Sequence, residues 1–164
     1  MSQKRFVPDC WLSDLGSGAG LTVWGFRMQA TGRDRCRCLV KAYDDQLMGA
    51  GPDTLEALQA CVRLLGTKGR RTIALAHPTV NWITYDEAAI LDLFAAAQTD
   101  REIVARTRSR HLLGCDDTAA LCGLANAYGD LFGGAGLSVR SPYPVTVPET
   151  SASRRAGKAT DRSW

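Results

Sequence analysis

Gly49-Ala50-Gly51-Pro52-Asp53-Thr54-Leu55-Glu56-Ala57-Leu58-Gln59-Ala60-Cys61-Val62-Arg63-Leu64-Leu65-Gly66 is the stretch around which the chain is organised. Asp53 and Glu56 stand three apart before an apolar run, the spacing of a capping box. Leu55, Leu58, Val62 and Leu65 follow at helical spacing, and Ala57, Cys61 and Leu64 widen the stripe. Gly66 is placed to end the helix in a left-handed conformation. Such a short helix with one apolar face is not stable alone in water. Neighbouring segments must cover it, with Leu58 and Val62 expected in the core.

The two runs before this helix read as a β-hairpin. From Leu21 to Ala30, Trp24, Phe26, Met28 and Ala30 share one face, while Val23, Arg27 and Gln29 share the other. Thr31-Gly32-Arg33-Asp34 carries turn residues. Arg35, Arg37 and Lys41 then alternate with Cys36, Cys38, Val40 and Ala42. A third strand from Gln46 to Ala50 would complete a β-meander. Residues 21–66 resemble short uncharacterised bacterial domains with that order, and are loosely similar to the HicB antitoxins of HicA–HicB pairs. The resemblance implies a compact sheet-plus-helix unit that binds proteins rather than catalyses.

Around this centre, residues 1–20 read as irregular. Gly16-Ser17-Gly18-Ala19-Gly20 matches a phosphate-binding loop only in composition, since it precedes a strand instead of following one. Thr72–Ala76 reads as a further short strand, closing a unit over 21–76, with strand or helix left open by its length. The region 84–134 reads as helical. Thr84 and Glu87 form a capping box, with Ile83 and Ala88 as its staple. Thr99 and Glu102 repeat the box before a helix that Gly114 stops. Asp116 or Asp117 caps a last helix, which Gly133-Gly134 ends. Pro142, Pro144 and Pro148 open a basic stretch, and 141–164 reads as a disordered tail. The expected fold class is α+β: an N-terminal antiparallel β-meander on one helix, then a small helical bundle and the tail.

Composition narrows the function. The 164 residues are 45% hydrophobic and 23% charged, with a formal net charge of +3. That is ordinary globular usage, and the mild charge permits an acidic partner without demanding one. No apolar run reaches the roughly 18–20 residues of a membrane span. The first residues lack a signal-peptide pattern, so the expected location is cytoplasmic, where thiols stay reduced. The six cysteines, Cys10, Cys36, Cys38, Cys61, Cys115 and Cys122, are accordingly expected as free thiols. Cys36 and Cys38 could share a metal if on one strand face. Two ligands fall short of the usual four of structural zinc, and core thiols explain them better.

Catalytic chemistry finds little support. His77 precedes a proline and His111 ends an arginine-rich helix, so neither sits in a nucleophile–base motif. Asp44-Asp45 and Asp116-Asp117 fit turn and cap duty. No cofactor is expected, and the protein is read as non-enzymatic. The basic residues are the candidate site. Arg101, Arg106, Arg108 and Arg110 lie on one helix, with Arg70 and Arg71 in an earlier loop. Charge runs are usually solvated surface. Their functional reading is a surface for an acidic protein, making this an interaction or regulatory protein. Nucleic acid is the alternative partner, although no recognition motif accompanies the charge. A cysteine-based metal protein or enzyme is the second alternative, and the oligomeric state stays open.

Overall fold

Thr84 and Glu87 begin the most deeply buried helix of the molecule. A computed structural model of the protein describes residues 5–144. In it the Thr84 hydroxyl accepts the Glu87 N–H at 3.0 Å, and the Glu87 carboxylate accepts the Thr84 N–H at 2.9 Å. This capping box opens a helix at Tyr85–Gln98 in which every residue from Asp86 to Ala96 is buried. A helix apolar on most sides belongs inside a bundle, and its neighbours enclose it.

The elements in chain order are a strand β1 (Phe6–Trp11), a 3-10 turn (Leu12–Leu15), and helices α1 (Gly16–Ala30), α2 (Arg37–Leu47) and α3 (Gly51–Lys68). A strand β2 (Trp82–Thr84) then leads into α4 (Tyr85–Gln98), α5 (Glu102–Leu113) and α6 (Ala119–Gly134). Helix α4 packs on α5, α6 and α1, while α3 packs on α6, α2 and α1. The two strands pair antiparallel, Phe6 with Thr84 and Trp11 with Trp82, with a register shift between. The fold is therefore mixed α and β, but mostly helical.

The expected meander is corrected. Residues read as two strands at 21–42 form α1 and α2. Helix α1 is buried on most sides, from Gly18 to Met28 and Gln29 with only Trp24 and Gly20 partly exposed. A helix so enclosed needs no polar stripe, so its apolar residues mimic alternation. In α2, Leu39, Tyr43 and Leu47 are the buried residues, spaced by one helical turn each. That spacing was the helical signal, masked by the alternating Arg35, Arg37 and Lys41.

The strands lie where none was expected. β1 falls within the supposedly irregular 1–20, and Thr72–Ala76 belongs to no strand. The glycine-rich Gly16–Gly20 forms the first turns of α1. There Gly18 lets the backbone of Ser138 approach so closely that a Cβ would lie 2.0 Å from its carbonyl oxygen.

Helix ends also move. In α3, Ala50 is the N-cap, Pro52 lies in the first turn, and no side chain caps it. Asp53 therefore serves as first-turn acid rather than cap, and the helix continues past Gly66 to Lys68. Leu58 is fully buried, whereas Val62 is half-buried beside a cavity of about 570 Å³ lined also by Phe26, Leu65, Arg70 and Leu75. At α5 the N-cap is Arg101, without a side-chain bond, because the Thr99 hydroxyl donates to the Ala95 carbonyl instead. Thr118, not Asp116 or Asp117, holds the N-cap position of α6. Gly114 ends α5 as expected, with φ +68°.

Two polar systems hold the core. Arg27, fully buried on α1, pairs with Glu87. The hydroxyls of Thr22, Tyr43 and Tyr128 form the second, joining α1, α2 and α6. Tyr43 donates to the Leu21 carbonyl and Thr22 to the Gly18 carbonyl, so Tyr128 donates to one of these two hydroxyls. Gln98 ties down the segment after α6, donating to the Gly129 and Leu137 carbonyls and accepting the Val139 N–H. The expected tail does not begin at 141: Ser141 donates to Asp92 at 2.6 Å and Tyr143 lies under Arg108. Its remainder, 145–164, falls outside the described residues. No described helix is long and apolar enough to cross a membrane.

Candidate functional site

The arginines of α5 divide by what lies beneath the helix. Ala105, Ser109, Leu112 and Leu113 are its buried residues, so its inner face is narrow, with small side chains at Ala105 and Ser109 and leucines only at its C-terminal end. Arg108 lies at the edge of that face. Its Nε donates to Asp92 of α4 at 2.6 Å, and its guanidinium covers the Tyr143 ring at 4.5 Å. Arg101 approaches the same carboxylate at 4.0 Å from the helix start. Asp92 is buried, so these two arginines compensate a carboxylate that would otherwise be costly to bury.

Arg71 does the same for Asp86. Its guanidinium donates to Asp86 at 2.9 Å, the Ala74 N–H donates at 2.7 Å, and His111 Nε2 lies 3.5 Å away. Arg71 also reaches the His111 carbonyl, and the Arg70 N–H donates to the Leu113 carbonyl at 2.7 Å. Arg70 and Arg71 thus satisfy carbonyls at the C-terminal end of α5, where a helix leaves acceptors unpaired and favours positive charge.

Arg106 and Arg110 are different. Both point outward, 59% and 57% exposed, one turn apart. Arg106 pairs with Glu102 on the preceding turn, and Arg110 with Asp116 at 2.7 Å. Beside them Ile103 is 83% exposed. The spacing 103, 106, 110 keeps all three on one stripe. Ile103 does not seat α5 on the bundle: its side chain faces away, and Ala105 and Ser109 fill the contact.

The six candidate arginines do not form one cationic face. Arg101, Arg108 and Arg71 are drawn inward by buried carboxylates of α4. Arg106 and Arg110 share the outer stripe with Ile103, and Arg70 lies exposed at its C-terminal end, near Gly114. The sequence missed Asp86 and Asp92 as inner partners. Their signal was acidic residues, Asp86, Glu87 and Asp92, on a helix that is otherwise apolar on most sides.

Other chemistry is sparse. His77 Nδ1 bonds the Thr79 hydroxyl at 2.8 Å, a contact within a turn. Among the described residues, no three His, Cys, Asp or Glu side chains gather as a metal site. The expectation of six free thiols is corrected: Cys36 and Cys38 are joined in a disulfide, leaving Cys10, Cys61, Cys115 and Cys122 free. With α2 in place of a strand, Cys36 is the N-cap and Cys38 belongs to the first turn, so their Cα atoms lie 5.3 Å apart. Comparison with protein-family models, curated proteins and solved structures finds no match to this chain.

Proposed function

We propose that the protein is a non-enzymatic interaction protein whose outer α5 stripe docks an acidic protein surface. The observation that supports this is Ile103, a large apolar side chain 83% exposed on the stripe that carries Arg106 and Arg110. An exposed apolar anchor beside arginines is the composition of a protein interface core. Glu102 and Asp116 lie on the same surface as partners of those arginines. A partner carboxylate can displace them from the guanidinium. The exposed Ile103 offers an apolar contact that a phosphate backbone does not complement, so the stripe favours a protein.

Placing a photo-crosslinking residue at Thr107, on the outward side of α5, in cells of the source organism tests the reading. The expected product is an adduct with a protein of acidic surface. It disappears when Arg106 and Arg110 are both replaced by glutamate. Adducts that persist in the double variant, or that contain nucleic acid, overturn the proposal.

A further inference from the structure

Cys36 and Cys38 occupy a position that the interaction surface on α5 does not use. Cys38 is exposed and Cys36 half-buried, at the start of α2. The first turn of this helix contains no acidic residue, and Arg35 and Arg37 flank Cys36. The unpaired N–H groups of a helix start favour negative charge. Helix N-termini and adjacent arginines are the surroundings in which thiolates form readily. The N-cap side chain makes no hydrogen bond to the helix while its sulfur is held in the disulfide. Once released as a thiolate, Cys36 stands where a capping side chain accepts N–H groups of the first turn.

We propose that Cys36 and Cys38 form a thiol–disulfide exchange centre that oxidises external thiols. A thiolate of the substrate attacks the exposed Cys38 sulfur. The Cys36–Cys38 bond breaks, its electron pair leaves on Cys36, and a mixed disulfide forms on Cys38. A second substrate thiolate attacks the external sulfur of that mixed disulfide. Cys38 leaves as a thiolate, and the substrate departs as a disulfide. One protein disulfide and two thiols become one protein dithiol and one substrate disulfide, with two electrons passed to the protein. Attack requires access and a good leaving group, and the pair supplies both.

The remaining cysteines lack this combination. Cys61 is buried, and burial pushes its thiol up to about 12, which keeps it protonated and inert. Disulfides that occur in reducing compartments are usually transient, catalytic or redox-sensing. A cycling Cys36–Cys38 pair is therefore consistent with a cytoplasmic location as well as with an oxidising one.

The test uses the purified full chain, equilibrated in glutathione buffers of graded ratio and quenched by alkylation. Mass spectrometry of the peptide carrying Cys36 and Cys38 is expected to show both thiols appearing together as one two-electron couple. The oxidised protein is then mixed with glutathione or with a reduced peptide dithiol, which distinguishes small thiols from protein thiols as substrate. Disulfide formation in either arm supports exchange. Cys38→Ser abolishes it, and Cys36→Ser mixed with oxidised glutathione accumulates a mixed disulfide on Cys38, one reduced glutathione leaving for each Cys38 thiolate that attacks. The wild-type titration requires no variant, so misfolding of a variant leaves the test intact. Two thiols that alkylate independently at every ratio overturn the proposal, as does exchange that persists in Cys38→Ser. None of these readouts involves α5, so failure here leaves the docking surface standing.

Discussion

Arg27 of α1 and Glu87 of α4 close a hydrogen-bond system with no spare group on the arginine. Arg27 Nε and Nη2 donate to the two carboxylate oxygens at 2.6 and 2.9 Å. Its remaining donors go to the carbonyls of His77, Val80 and Trp82, which uses all five N–H groups of a guanidinium. Glu87 accepts also from the Ala76 and Thr84 N–H groups. One ion pair thereby fixes both the connection between α3 and α4 and the start of the central helix.

Breaking this pair leaves a buried charge uncompensated. Arg27→Met is therefore expected to cost about 3–5 kcal/mol, measured by urea unfolding. Glu87→Gln should cost less than Glu87→Ala, because the amide oxygen still accepts one backbone N–H. Equal losses in the two would show that the backbone contacts of Glu87 contribute nothing.

The pair also marks the boundary of what the sequence discloses. Thr84 and Glu87 are three residues apart, and local spacing reveals their reciprocal bonds. Arg27 is 60 positions from Glu87, and nothing in its neighbourhood separates a buried arginine from an exposed one. The same contrast runs through the fold. Helices α3 to α6 have apolar stripes or stop signals such as Gly114 and could be located. Helix α1 is enclosed on most sides, and its alternating large and small residues imitate a strand. In the candidate site, the arginines were visible by type. Their division was not, because it depends on Asp86 and Asp92, which α4 presents from beneath.

Leu58 is fully buried where α3 meets the rest of the core. Leu58→Ala is expected to cost about 2–5 kcal/mol, the range for a large-to-small core change. A drop in the urea midpoint equivalent to less than about 1 kcal/mol would place α3 at the periphery.

Gly25 of α1 lies against the Tyr43 side chain of α2. A Cβ there would lie 2.3 Å from the Tyr43 hydroxyl oxygen. Gly25→Ala is expected to destabilise by about 1–3 kcal/mol, as overpacking does. Tyr43→Phe removes the nearest atom. The double variant should therefore lose less than the sum of the two single changes, and strict additivity in a double-mutant cycle would refute the contact.

Tyr43, Tyr128 and Cys61 carry protons that burial holds in place, each with its folded pKa raised. Their neutral forms are favoured in the folded state, so their stabilising contribution is complete below the unfolded values, about 8.5 for cysteine and 10 for tyrosine. It is lost as pH rises toward the folded values, because the unfolded chain releases those protons first. The urea midpoint should thus fall between pH 8 and pH 11. Cys61→Ala should flatten the earlier part of that fall, and an unchanged slope would remove Cys61 from the account.

The arginines of α5 should separate by function when each pair is reversed in charge. Arg106 and Arg110 face solvent, and their ion pairs with Glu102 and Asp116 are exposed. Exposed pairs are worth about 0–1 kcal/mol, so Arg106→Glu with Arg110→Glu should leave the melting temperature almost unchanged. Arg108 instead bonds the buried Asp92, and Arg108→Glu would set two carboxylates against each other there. That variant should melt well below wild type. With Ile103→Ser as a third variant, the proposed docking stripe predicts a particular pattern. Adduct formation from a crosslinker at Thr107, on the same outward side, should be lost in Ile103→Ser and in the double glutamate variant while both remain folded. If the double variant melts as early as Arg108→Glu, the outer arginines are structural. If both folded variants still form the adduct, the partner contacts another part of the molecule.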